Sequence, residues 1–262
     1  MDTGLRGKTA IVTGGAQGIG RGICLRLAQE GIKTVVADIN ADGGQRVVQE
    51  IRDLGGEGKF VRCNVTALSE VTNLVKTALE GFGTIDILAN CAGIALVKPF
   101  RELTEAEWDR VVDVNLKGTY LCCSSVLPHM VERRSGKIIN IASIAALYPT
   151  AQQAPYCAAK AGVIALTRSL AYEYAGSNIN VNVICPGIVR TPIWEKALDD
   201  LSARTGEDKE LIFSRHVERI PLKRAQTPDD IANAVIFLSS DLSKSVTAAS
   251  ISITGGMDSI FF

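Results

Sequence analysis

Thr9-Ala10-Ile11-Val12-Thr13-Gly14-Gly15-Ala16-Gln17-Gly18-Ile19-Gly20 decides the fold. Its first five residues are apolar or β-branched without alternation, which reads as a strand buried on both faces. Gly14-x-x-x-Gly18-x-Gly20 follows at once. Residues 18–30 then carry helical spacing, and Gly31 stops them. In a strand–turn–helix context, glycines let the backbone turn tightly and approach a pyrophosphate. The helix N-terminus meets that charge with free N–H groups and its positive dipole end.

The same alternation continues outward. Strands fit residues 34–38, 59–63, 85–89, 137–142, 179–184 and 250–253; helices fit 42–54, 67–82, 104–115, 117–134, 155–175 and 228–240. Thr104-Glu105-Ala106-Glu107 is a capping box that opens a helix bearing Trp108, read as a core residue. Strand–helix repetition with continuous apolar strands predicts right-handed crossovers. The expected fold is α/β, a single-domain Rossmann-type doubly wound parallel sheet of about seven strands with helices on both faces. Residues 1–262 form one NAD-binding catalytic domain in this reading. Residues 191–217, from Thr191-Pro192-Ile193-Trp194 into a charged stretch of irregular periodicity, are its expected substrate loop. The apolar tail Ser259-Ile260-Phe261-Phe262 is expected to pack on its own subunit or a neighbour.

Charge excludes several partners. Lys and Arg total 28 against 28 Asp and Glu, so no electrostatic footprint for nucleic acid or an anionic membrane exists. No apolar run is long enough to span a bilayer, and residues 1–8 lack a signal peptide's apolar core, which leads to a cytoplasmic expectation. Seven cysteines, without C-x-x-C, read as small buried thiols, with Cys91 and Cys157 as candidate sites of oxidative inactivation. His129 and His216 have no ligand-like neighbours, so no metal is expected; His129 reads as a surface or capping residue.

Tyr156-Cys157-Ala158-Ala159-Lys160 supplies the chemistry. A phenol and an ammonium four residues apart share one helical face. The ammonium is expected to lower the pKa of the phenol, about 10 when free, and so make it a base. Ser143, thirteen residues before Tyr156 and just after a strand, is placed to hold a substrate oxygen. Pro155 fits the first helical turn. Asp38 ends the second strand, eighteen residues beyond Gly20. A carboxylate there accepts ribose hydroxyls and repels a 2′-phosphate. With no Lys or Arg between Gly14 and Gly20, and Ile39-Asn40 next, NAD is the expected cofactor.

Nearly the whole chain resembles the short-chain dehydrogenase/reductase family. The glycine motif, Asn90-Cys91-Ala92-Gly93, Asn115, Ser143, Tyr156-x-x-x-Lys160 and Pro186-Gly187 occur in the family's order. The resemblance implies catalytic roles for Asn115, Ser143, Tyr156 and Lys160, with Asn115 bending its helix and holding a water in a proton relay through Lys160. It implies a cofactor site of Gly14, Gln17, Gly18, Ile19, Gly20, Asp38, Ile39, Asn64, Val65, Asn90, Ala92, Gly93, Tyr156, Lys160, Pro186, Gly187, Val189 and Thr191. Asn64-Val65 stands for a commoner Asp-Val, and Cys91 for a commoner Asn. Relatives in this family are commonly homotetramers, which is the expectation here.

The substrate wall is expected to include Ser143, Ala145, Gln153, Tyr156, Gly187 and Trp194, with Ala95, Leu96 and Val97 opposite, and to lack a fixed cation. Lys223-Arg224 reads as a surface charge pair. The resemblance of residues 191–194, 220–224 and 255–257 to polyol and acyloin members implies NAD(H)-dependent interconversion of a secondary alcohol and a ketone in a small polyol, sugar alcohol or vicinal diol. The alternatives are a 3-oxoacyl or 3-hydroxyacyl-thioester reductase and, less favoured, a non-catalytic NAD-binding module.

Overall fold

The computed structural model describes residues 3–261, with side chains as far as Ser259; the packing expected of Ile260-Phe261-Phe262 lies outside them. The chain runs β1 (Thr9–Thr13), α1 (Gly18–Gln29), β2 (Lys33–Asp38), α2 (Ala41–Asp53), β3 (Gly58–Arg62), α3 (Leu68–Phe82), β4 (Ile87–Asn90), α4 (Glu105–Val112), α5 (Gly118–Arg133), β5 (Gly136–Ile141), α6 (Ala154–Tyr174), β6 (Ile179–Pro186), α7 (Pro192–Thr205), α8 (Lys209–Glu218), α9 (Pro228–Ser239) and β7 (Ser250–Ile253). The seven strands pair in parallel in the order β3-β2-β1-β4-β5-β6-β7. Strand order reverses between β1 and β4, and the crevice at the carboxyl ends there is where open α/β sheets bind ligands.

The continuous apolar strands serve two cores. Ala10 and Val12 of β1, Val36 of β2, Ile87 and Ala89 of β4, and Ile139 and Ile141 of β5 join residues of α1, α2 and α9 in one cluster. Their neighbours Ile11, Val35, Ala37, Leu88 and Ile138 face the other way, onto α3 and α5. Successive strand residues point to opposite faces, so a strand covered on both sides shows no alternation in sequence.

Three expectations change. Residues 191–217 are two helices, not an irregular loop: Pro192 opens α7, Gly206 ends it at φ 74°, and the Asp208 carboxylate caps α8 by accepting from the backbone N–H groups of Glu210 and Leu211. Trp108 is half-buried on α4 and belongs to none of the core clusters, although its capping box forms as read. His129 is part-buried and caps no helix end; its Nε2 accepts from the backbone N–H of Ile85 at 3.3 Å.

Between α4 and α5 the chain makes a π turn over Asp113–Lys117. Asn115 explains it. Its Nδ2 donates to the carbonyl of Val111, one turn earlier, at 2.8 Å, and to the carbonyl of Ile94 at 2.8 Å. A side-chain amide that takes the i−4 carbonyl competes with the helical ladder and widens the turn.

Candidate active site

One cleft of about 800 Å³ opens at the carboxyl end of the sheet. Its first wall is the glycine turn. Gly14 has φ 67° and lies so close to the loop after β4 that a Cβ would sit 2.8 Å from backbone atoms of Ala92. A Cβ on Gly20 would stand 2.1 Å from the carbonyl oxygen of Gly14. Only glycine satisfies both approaches. The first turn of α1 carries no acidic residue, so its N–H groups face the cleft with their positive end uncancelled. Thr13 Oγ1 accepts from the N–H groups of Cys91 and Ala92, both at 3.2 Å, and holds that loop against the turn.

Asp38 is anchored from both sides. Oδ2 accepts from Ala16 N at 3.0 Å and Oδ1 from Asn40 N at 2.9 Å. The carboxylate is therefore fixed at the cleft edge with lone pairs to spare. Asn64 turns its Oδ1 to Thr66, accepting from N at 3.1 Å and Oγ1 at 2.9 Å, which leaves its amide nitrogen as the group offered to the cleft. Thr191 makes no capping bond with its hydroxyl; its Cγ2 would stand 3.3 Å from a Cβ at Gly18, so the start of α7 closes over the glycine turn.

Asn90 departs from the expected cofactor set. It is buried at the end of β4, paired in register with Asn140. Its Nδ2 donates to Asn140 Oδ1 at 2.9 Å, and Asn140 Nδ2 donates on to Thr167 Oγ1 at 2.9 Å. The residue fastens β4 to β5 and α6 beneath the site, and it does not line the cleft. The other residues expected to hold the cofactor all line it, as do the six expected at the substrate.

Ser143, Tyr156, Lys160 and Asn115 converge. The Ser143 hydroxyl accepts from Ala145 N at 3.2 Å and lies where it favours the ionised form of the Tyr156 phenol. Lys160 is buried, donates to the carbonyl of Ile141 at 2.8 Å, and lies 5.8 Å from the Tyr156 ring centre. Asn115 is fully buried, and its Oδ1 finds no partner among the described residues. A Cβ at Gly93 would meet that oxygen at 2.7 Å and Lys160 Nζ at 3.4 Å, so both atoms border the same small space. An orphaned acceptor beside an ammonium is a place for water.

The charges differ from the simple dyad. Burial pushes the Tyr156 phenol up to about 12, against the pull of Ser143. Burial also pulls the Lys160 ammonium down to about 8. The expected lowering of the phenol does not occur in the protein alone, because desolvation wins. Cys91 is similar: burial raises its thiol to about 12 although Lys160 opposes it. So little thiolate, the reactive form, argues against Cys91 as an easily oxidised group. Cys157 is buried.

A model of the family described as short chain dehydrogenase matches residues 8–202. The chain belongs to the short-chain dehydrogenase family. It is 40% identical to the 3-oxoacyl-acyl-carrier-protein reductase FabG of Chlamydia pneumoniae over 98% of this chain and 99% of that one. It is 36% identical to the 2,5-dichloro-2,5-cyclohexadiene-1,4-diol dehydrogenase LinX of Sphingobium indicum, over 98% of each. An actinorhodin polyketide ketoreductase variant solved with NADPH superposes with a TM-score of 0.92 at 34% identity, covering 95% of this chain and 97% of the other. This short-chain dehydrogenase is thus an oxidoreductase of alcohol and keto groups that uses a nicotinamide cofactor. None of its helices among the described residues is long and apolar enough to cross a membrane, and those residues hold no cluster suited to a metal.

Tyr148, Ala197, Leu201, Glu207, Ile212, Arg215 and His216 also line the cleft; all but Tyr148 lie in the segment 191–217 expected at the substrate, although none was singled out there. Arg215, ion-paired to Glu207, is the fixed cation not expected there. Pro192 at the first turn of α7 and Gly206 after its last were the readable signals of an ordered element. Leu96, placed on one wall in sequence, does not line the cleft. Lys223 and Arg224 stay outside it, with Arg224 paired to Asp230 at 2.8 Å.

Proposed function

We propose that this short-chain dehydrogenase uses NAD(H) to interconvert the alcohol and ketone of a 3-hydroxyacyl/3-oxoacyl compound. The wall beyond Tyr156 carries the reading: Ile188, Ile193, Trp194, Ala197, Leu201, Ile212 and Met257 make it mainly apolar. A polyol needs a hydrogen-bond partner for each hydroxyl; besides Gln153 and Thr150 the cleft has Tyr148, His216, Gln152 and the Glu207–Arg215 pair, and of these Gln152, Glu207 and Arg215 are already engaged with protein partners. Relatives named as 3-oxoacyl reductases support the same choice over the polyol one. LinX, a diol dehydrogenase, keeps the diol reading as the one to test against.

In this proposal the glycine turn and the α1 N-terminus hold the diphosphate, Asp38 the adenosine ribose, and Asn64 and Val65 the adenine. The bound nicotinamide supplies the hydride acceptor or donor and, when oxidised, a positive charge beside the phenol. Tyr156 takes the alcohol proton from an oxygen that Ser143 holds by its hydroxyl. Lys160 and the water expected at Asn115 Oδ1 return that proton to solvent. Exposed Tyr120 on α5 and Tyr172 on α6 support the proposed homotetramer, which sedimentation would test.

NAD reduction measured over 3-hydroxyacyl thioesters, polyols and vicinal diols tests the substrate; turnover confined to polyols would overturn it. Tyr156→Phe should keep NADH binding and lose at least about a hundredfold in turnover, the scale of one acid–base group. A near-normal rate would remove Tyr156 from the chemistry; protein that binds NADH but turns over no carbonyl would revive a non-catalytic NAD-binding role.

A further inference from the structure

The cleft continues past the catalytic side chains beneath α7. Ile193, Ala197, Leu201 and Thr205 recur at four-residue spacing, and all four line it. One edge of the helix therefore faces the cleft along its length. From Ile193 to Leu201 the edge is apolar and about 12 Å long. It begins over the glycine turn, where Thr191 and Pro192 pack on Gly18. At its far end Arg204 donates to Gln152 Oε1 at 3.0 Å. There Thr205 turns its hydroxyl back onto the Leu201 carbonyl at 2.9 Å, and the ion pair of Glu207 with Arg215 closes the gallery.

The gallery has a firm frame. Arg190 bonds Glu195 of α7 at 2.6 Å and Glu210 of α8 at 2.9 Å. Trp194 stands edge-on to Phe213 at 6.2 Å and to His216 at 5.5 Å, between ring centres. Gln152, at φ 66°, gives its carbonyl to Lys98 N at 2.8 Å and its side-chain oxygen to Arg204, tying three walls together. A left-handed non-glycine residue persists where its surroundings hold it in place.

We infer that this gallery receives an unbranched apolar chain of about eight to ten carbons attached to the reacting carbon, a carbon chain advancing about 1.25 Å per bond. The Glu207–Arg215 pair, half-exposed at the far end, marks where the apolar lining gives way to solvated charge, so carbons beyond it gain no further burial. Ala197 and Leu201 are the specificity-determining positions. The inference rests on the acyl reading above and extends it to chain length. Each buried methylene contributes up to about fourfold in affinity.

The test is kcat/KM for NAD reduction over 3-hydroxyacyl N-acetylcysteamine thioesters of four to fourteen carbons. The expected profile rises at least a hundredfold from four to ten carbons and stops rising beyond twelve. Leu201→Asp places a charge mid-gallery and Ala197→Phe fills it; each should bring the ten-to-four ratio to within about tenfold of one. A flat wild-type series, or a ratio that neither substitution moves, overturns the inference while leaving the acyl reading in place. If no thioester is oxidised, the acyl reading falls. A series of 2-alkanols of the same lengths then reads the gallery directly: a rise sustains it and a flat profile overturns it.

Discussion

Asp38→Ala should erase the preference for NAD over NADP. The carboxylate cannot swing away, since Ala16 N and Asn40 N each hold one oxygen. A 2′-phosphate brought against it would meet a fixed like charge. Two unit charges about 4 Å apart repel by about 4 kcal/mol at the effective dielectric of a protein surface, and salt reduces this. Hydrogen bonds from the ribose hydroxyls to a charged acceptor are lost at the same time, about 1.5–3 kcal/mol. Together these predict that wild-type kcat/KM favours NAD by at least about a thousandfold, at about 1.4 kcal/mol per factor of ten. No free Lys or Arg lines the ribose end to reverse the sign; Arg62 is engaged by Glu70 at 3.2 Å and Arg21 by Glu50 at 2.8 Å. In Asp38→Ala the ratio should fall to within about tenfold of one, through weaker NAD and stronger NADP use. The assay is initial-rate reduction of each cofactor at limiting concentration. A wild type that prefers NADP, as the crystallisation of a structural neighbour with NADPH makes worth testing, would refute the role given to Asp38. So would a ratio that the substitution leaves unchanged.

Lys160 predicts a pH signature in stability. Its folded pKa of about 8 lies below the ordinary 10.5 because burial penalises the ammonium, so between these values the unfolded chain binds more protons and stability rises with pH. The buried thiols of Cys63, Cys91, Cys123 and Cys185, held near 11 to 12 when folded, oppose the trend from about pH 9, and Tyr156, held near 12, opposes it above pH 10. Thermal denaturation of Lys160→Met should give a midpoint several degrees above wild type at pH 7, with the gap narrowing between pH 8 and 10; matching curves for wild type and variant would contradict this. Cys91 should react slowly with iodoacetamide at pH 8, since its thiol sits near 12; rapid modification mapped to Cys91 by mass spectrometry would show that burial does not protect it. Gly20→Ala should abolish cofactor binding by fluorescence titration, because its Cβ would press on the Gly14 carbonyl oxygen at 2.1 Å; unchanged affinity would mean that the turn can open.

Elements with local signals were readable at once. The strand–glycine–helix opening, the Thr104–Glu107 box and Pro155 each act within a few residues, and each formed where read. Tyr156 and Lys160 were visible because one helical turn brings them together whatever surrounds them. Asn90 was misplaced because its neighbours along the chain, Cys91 to Gly93, do border the cleft, while strand pairing with Asn140 turns its own side chain inward. The phenol was misjudged for a related reason. Spacing gives proximity, but desolvation depends on every atom packed around the group, and here burial outweighs the pull of Ser143.

Reaction class and fold, then, lie in short motifs whose physics is local: a glycine turn, a carboxylate at a strand end, and a phenol and ammonium one turn apart. Substrate choice does not. The gallery under α7 exists because Arg190 and Trp194 fasten α7 to α8 while Gln152 ties Arg204 of α7 to a segment 52 residues earlier in the chain. The orphaned Asn115 oxygen becomes meaningful only once Gly93 and Lys160 close around it. Contacts made across long stretches of chain leave no periodicity behind, and only folding reveals what they enclose.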